Sequence, residues 1–93
     1  MDTVEQIKSL VEILEILKKP VAERNQEESR EVVTILLLRF MDVFDHDKKI
    51  VQATLPAIET LKNHITAADY DTAFVHIHAL LWRFREVRFP LSR

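Results

Sequence analysis

Apolar side chains recur every three or four residues along nearly the whole chain, a spacing that builds helices and little else. The first series is Val4, Ile7, Val11, Leu14 and Leu17, widened by Leu10 and Ile13. A second runs Val32, Val33, Leu36, Leu37, Phe40, Val43 and Phe44; a third runs Ile50, Val51, Leu55, Ile58, Leu61 and Ile65. The fourth is Tyr70, Ala73, Phe74, Ile77, Leu80, Leu81, Phe84 and Val87. Each series is the face that one amphipathic helix buries. The 93 residues include no glycine. Tight β-hairpins need positive φ, which would fall here to Asn or Asp, so a sheet is disfavoured. Phosphate-cradling loops, which need glycine for close backbone approach, are excluded.

Local signals divide the series. Thr3 with Gln6 reads as a capping box that opens the first helix. Lys18, Lys19 and Pro20 are expected to close it, because the lysines suit the negative end of its dipole and the proline disfavours helical geometry at Lys19. Residues 20–27 then read as a polar linker or a ragged start. Asn25 followed by Glu28 is a second capping signature, which starts the next helix near Gln26. Ile35, Leu38 and Met41 fall outside that helix's main face, so it is expected to be covered on more than one side and to be the most buried element. The run "DHDKK" (45–49) is a turn capped by Asp45 or Asp47. Pro56 predicts a kink near 53–56, or a break followed by a helix capped by Thr54. Asp69 caps the fourth helix and Pro90 stops it.

This pattern predicts an all-α fold: one domain over residues 1–93, an up-down antiparallel four-helix bundle whose third helix is kinked or broken near Pro56. A chain this short is marginal, and without cysteine it has neither disulfides nor thiolate metal sites to brace it. The densest apolar stretch, "VVTILLLRFMDVF" (32–44), is too short and too charged to span a bilayer. Asp2 and Glu5 do not suit a secretory leader, so a cytoplasmic location is expected. Net charge is −2 and uneven: −3 over residues 1–31, −2 over 32–81 and +3 over 82–93.

Candidate chemistry is sparse. His76 and His78 sit two apart, about 200° around a helix, and cannot share a metal. The helical metal spacings Glu-x-x-His and His-x-x-x-His do not occur. No nucleophile lies in an evident pairing with a base. Neither catalysis nor a cofactor is expected.

Surface composition carries the functional reading. Val75, Ala79 and Trp82 form a second stripe on the fourth helix, beside its core stripe. Apolar patches rimmed by arginine mark protein contact sites, with Trp and Arg as frequent anchors. The expected contact residues are Val75, Ala79, Trp82, Arg85 and Phe89, and the expected partner is another protein or a second copy of the chain. The plainer alternative is that Trp82 closes one end of the bundle. A different alternative is nucleic-acid binding through "WRFREVRFPLSR", where Arg83, Arg85, Arg88 and Arg93 would hold phosphates beside stacking aromatics. A small inhibitor or immunity-type bundle is a further reading.

The segment "ATLPAIETLKNHITAADYDTAFVHIHALL" (53–81) has a helix, a short turn with an acidic–aromatic pair, and a helix reading Ala-x-x-x-His-x-x-Leu. It resembles the helical domain shared by the C-terminus of the COPII outer-coat protein and the steroid receptor RNA activator protein. The matching positions are Leu61, Asp69, Tyr70, Ala73, Ile77, His78 and Leu81, with "SREVVTILLLRFMDVF" in the place of that family's preceding helix. The resemblance implies a non-catalytic interaction module linked to vesicle coats or RNA-associated regulation.

Overall fold

The computed structural model describes the backbone of residues 3–85 and the side chains of residues 5–85. Within them lie four helices: α1 (Thr3–Ala22), α2 (Gln26–Phe44), α3 (Lys48–Thr66) and α4 (Tyr70–Arg85). No strand occurs among the described residues. The main associations are α1 with α2, α2 with α3, α3 with α4 and α4 with α1, so each helix packs on two others. The molecule measures 40 × 21 × 20 Å. Its cross-section is therefore about two helix diameters each way.

All four helices contribute to the core. Leu10, Leu14, Leu17 and Val21 of α1 meet Val33, Leu36, Phe40, Val43 and Phe44 of α2. Ile50, Ile58, Leu61 and Ile65 of α3 join Ala73, Ile77, Leu80, Leu81 and Phe84 of α4. Phe40 and Phe44 pack ring against ring at 5.2 Å, tilted by 50°.

The caps fall largely where the side chains predict. Asn25 Oδ1 accepts the Glu28 N–H at 3.1 Å, and Asn25 Nδ2 donates to Glu28 Oε2 at 3.3 Å. Of the two candidates at the next turn, Asp47 is the cap, accepting the Ile50 N–H at 3.3 Å. Asp69 accepts the Thr72 N–H at 3.4 Å. The first helix already includes Thr3, so the expected cap lies within the helix and the residues before it are outside the described part.

Both internal prolines lie within continuous helices, which overturns the expected stop at Lys19 and the expected break near Pro56. Helix α1 does not stop at Lys19 but continues through Pro20 to Ala22, burying Pro20 and Val21. A proline in the last turn forfeits only the N–H that would reach the Ile16 carbonyl. The side chain of Val21 then adds one more rung to the core. Helix α3 is likewise unbroken from Lys48 to Thr66 with Pro56 inside it. Thr54 is not a cap; it is a fully buried member of the row Ile50, Thr54, Ile58, Leu61, Ile65. That row holds the segment against its neighbours despite one missing bond.

Helix α2 also departs from expectation. Of the three residues outside its main face, Ile35 and Leu38 are exposed, while Met41 is half-buried against the core. The helix is not the most buried element: α4 buries as many residues in a shorter length. Val87 and Pro90, expected to extend and stop α4, lie outside the described residues.

Two turns require a left-handed residue, and neither uses Asn or Asp. Arg24 has φ 58° and Ala68 has φ 61°. After α1, Asn25 N–H bonds the Pro20 carbonyl at 2.8 Å and Arg24 N–H the Val21 carbonyl at 3.1 Å. After α3, Asp69 N–H bonds the His64 carbonyl at 2.8 Å and Ala68 N–H the Ile65 carbonyl at 3.0 Å. Both are Schellman closures, which glycine usually fills. Here the bonded ends and the caps that follow outweigh the strain.

Candidate functional site

The buried stripe of α4 leaves its opposite side to solvent. Val75 is 66% exposed and Trp82 61% exposed, with Ala79 exposed between them. Trp82 therefore does not close the bundle. Phe84, two positions on, is buried, as its place in the core stripe requires. Phe89, Arg88 and Arg93 lie outside the described residues.

The flank of this face toward α1 is charged and furrowed. Near its start, Arg24 Nη2 lies 3.3 Å from Asp71 Oδ1, and the same guanidinium sits 5.7 Å from the centre of the Tyr70 ring. A groove of about 260 Å³ opens there, lined by Val21, Ala22, Arg24, Tyr70, Asp71 and Phe74. Near its end, Arg85 Nη2 lies 3.6 Å from Glu15 Oε1, and Glu15 also pairs with Lys18 at 2.8 Å. A second groove, of about 440 Å³, lies between Ile7, Lys8, Val11 and Glu12 of α1 and Phe84 and Arg85 of α4. The hydrogen bond from Lys18 holds the Glu15 carboxyl below its usual range, and the charges of Lys18, Arg85 and His78 add to it. Arg83 is half-buried on the α3 side of the helix.

Sequence spacing brings Val75, Ala79, Trp82 and Arg85 to one side of α4, and the structure places all four at the surface. It gave no sign of Arg24, Asp71 or Glu15 as neighbours of that face, because those pairings depend on how α1 lies on α4. Ile16, another exposed apolar residue, was also missed; with Ile35 and Leu38 it belongs to α1 and α2, away from the α4 stripe.

The histidines separate as the spacing requires. His78 meets the Phe74 ring edge-on at 4.8 Å on one side, while His76 stacks on His64 of α3 at 5.0 Å, with an interplanar angle of 16°. His64 Nδ1 lies 3.4 Å from Asp69 Oδ2. Imidazole lone pairs lie in the ring plane, so two nearly parallel rings do not converge on one ion. No group of three histidine or carboxylate side chains able to hold a metal occurs among the described residues. No described helix is long and apolar enough to cross a membrane. The two grooves along α4 present apolar walls and ion pairs.

No protein-family model matches the chain, and neither does any curated protein or solved structure.

Proposed function

We propose that this protein is a non-catalytic interaction module, an up-down antiparallel bundle that binds another protein through the outer face of α4. The observation that carries the reading is the indole of Trp82, more than half exposed beside Val75 on a helix whose other side is fully committed to the core. A surface tryptophan holds a large apolar area with little rotamer freedom to lose, which suits an anchor. Arg85 supplies charge at the rim. Short connections of three residues between consecutive helices support the up-down path. So does the meeting of Gln26, at the start of α2, with the carbonyls of Ile65 and Thr66, at the end of α3. The likeness of residues 53–81 to the coat-protein and RNA-activator helical domain points the same way, toward assembly rather than chemistry. The cytoplasm is the compartment this reading assigns.

The test is crosslinking and co-purification from the native source with the wild-type chain and with Trp82→Ala. A partner bound through this face is lost in the variant, by about 2 kcal/mol of affinity, the size of an interface hot spot. Unchanged capture together with a lower melting temperature would return Trp82 to a structural role. Binding that depends on Arg83, Arg85, Arg88 and Arg93 and falls steeply with salt would instead assign nucleic acid as the ligand. Of these four, Arg85 already faces a carboxylate of its own chain.

A further inference from the structure

We infer that the α4 face takes a second copy of this chain, packed antiparallel, α4 against α4, about a two-fold axis beside Ala79. The inference rests on the interaction reading above and names its partner. An isologous interface requires a patch that complements itself, so that residue i meets residue j and j meets i.

The outer face of α4 meets that condition in three ways. First, Val75 and Trp82 lie at equal distances on either side of the point between His78 and Ala79. An antiparallel copy sets each indole against the other chain's valine. Ala79, the smallest side chain of the stripe, stands at the crossing, where helices approach most closely.

Second, the face is charged with opposite sign at its two ends. Asp71 and Arg85 lie about 11 and 10 Å from the same midpoint, at 1.5 Å per residue. The two-fold axis brings each Asp71 to the other chain's Arg85. Their present partners, Arg24 and Glu15, form solvent-exposed pairs, which are weak and exchange readily. Arg24 and Glu15 are brought together by the same operation, so four in-chain charges become an alternating set across the interface.

Third, shape agrees with charge. The antiparallel copy places Trp82 at the level of Val75, beside the groove walled by Val21, Tyr70 and Phe74. An aromatic side chain that protrudes at one end thus meets a recess at the other, with apolar walls and the Arg24–Asp71 pair at its rim, and the axis duplicates the contact.

Sedimentation equilibrium of the full chain from low micromolar to near-millimolar concentration tests this. The mass is expected to rise from one chain to two. Trp82→Ala is expected to weaken association about thirtyfold, a hot-spot loss. Asp71→Arg alone and Arg85→Asp alone each set like charges face to face and weaken it about tenfold. An equimolar mixture of those two variants restores both pairs, so it should associate within a few-fold of wild type. All three substitutions are at exposed positions, and circular dichroism checks that helicity is kept.

A single-chain mass at every concentration overturns the inference, as does a mixture that fails to recover. If a single-chain protein still captures another protein through Trp82, only the self-pairing is lost and the α4 reading stands. A dimer indifferent to Trp82→Ala, with capture equally indifferent, ends both.

Discussion

Two hydroxyls, Ser29 Oγ and Thr54 Oγ1, are buried without a hydrogen-bond partner. A buried hydroxyl left unpaired costs about 1–3 kcal/mol, whereas an apolar group of the same shape costs nothing. Thr54→Val keeps the shape and removes the polar atom. It is expected to stabilise the fold by about 1 kcal/mol, read as a higher urea midpoint at unchanged slope. A threonine two positions before a proline suggests a cap, which hides this residue's place in the core. The row from Ile50 to Ile65 runs through position 54 at helical spacing, but a pattern that counts only apolar residues passes over it. Asp69 was the reverse case, legible as a cap from its place before the fourth stripe. Hydrogen bonding from Thr72 is the chief reason its carboxyl lies below the ordinary value of 3.8, with His64 adding to it. A carboxyl depressed in the native state contributes stability above its unfolded value and loses it as pH falls through the folded one. Asp69→Asn keeps a good cap but cannot titrate. Its urea midpoint is expected to fall less steeply than wild type below about pH 4.

At the scale of elements, helix number and most caps were legible, but where helices end was not. Local backbone preference alone predicts a stop at Lys19 and a kink or break near Pro56. Tertiary contacts overrule the stop and the break, since Val21 and the α3 core row gain burial only if the helix continues. Pro56 therefore holds a recoverable loss. Its side chain is exposed, and its ring denies the Gln52 carbonyl an N–H. Pro56→Ala is expected to stabilise by about 2 kcal/mol: the roughly 3 kcal/mol penalty of an interior proline, less the entropy the freed unfolded chain regains. The closing turn of α3 offers a second test. Ala68 sits at φ 61°, a conformation that costs a residue with a Cβ about 1–2 kcal/mol. Ala68→Gly is expected to raise stability by about 0.5–1 kcal/mol after the entropy of the unfolded glycine is counted. The absence of glycine was visible at once. That arginine and alanine would take its left-handed positions was not, because the demand for positive φ appears only when two helices are joined.

For the whole molecule, the pairing proposed for the apolar stripe of α4 predicts how stability responds to concentration. A domain of this size commands only about 5–15 kcal/mol in total, with no disulfide to add to it. Truncating a core ring such as Phe40, fully buried, is expected to cost about 3–5 kcal/mol and leave the fold near its threshold. Trp82→Ala differs in kind. The indole is mostly outside the monomer, so its loss should scarcely alter the melting temperature of a dilute sample. If the chain pairs through α4, the native state is favoured by mass action, and wild-type melting must rise with protein concentration. The variant curve should then begin to rise only at about thirtyfold higher concentration and meet the wild-type curve at high dilution. Calorimetry across a hundredfold range of concentration separates the cases. Parallel curves offset at every concentration would mean that Trp82 stabilises the single chain and that its exposed area has no partner.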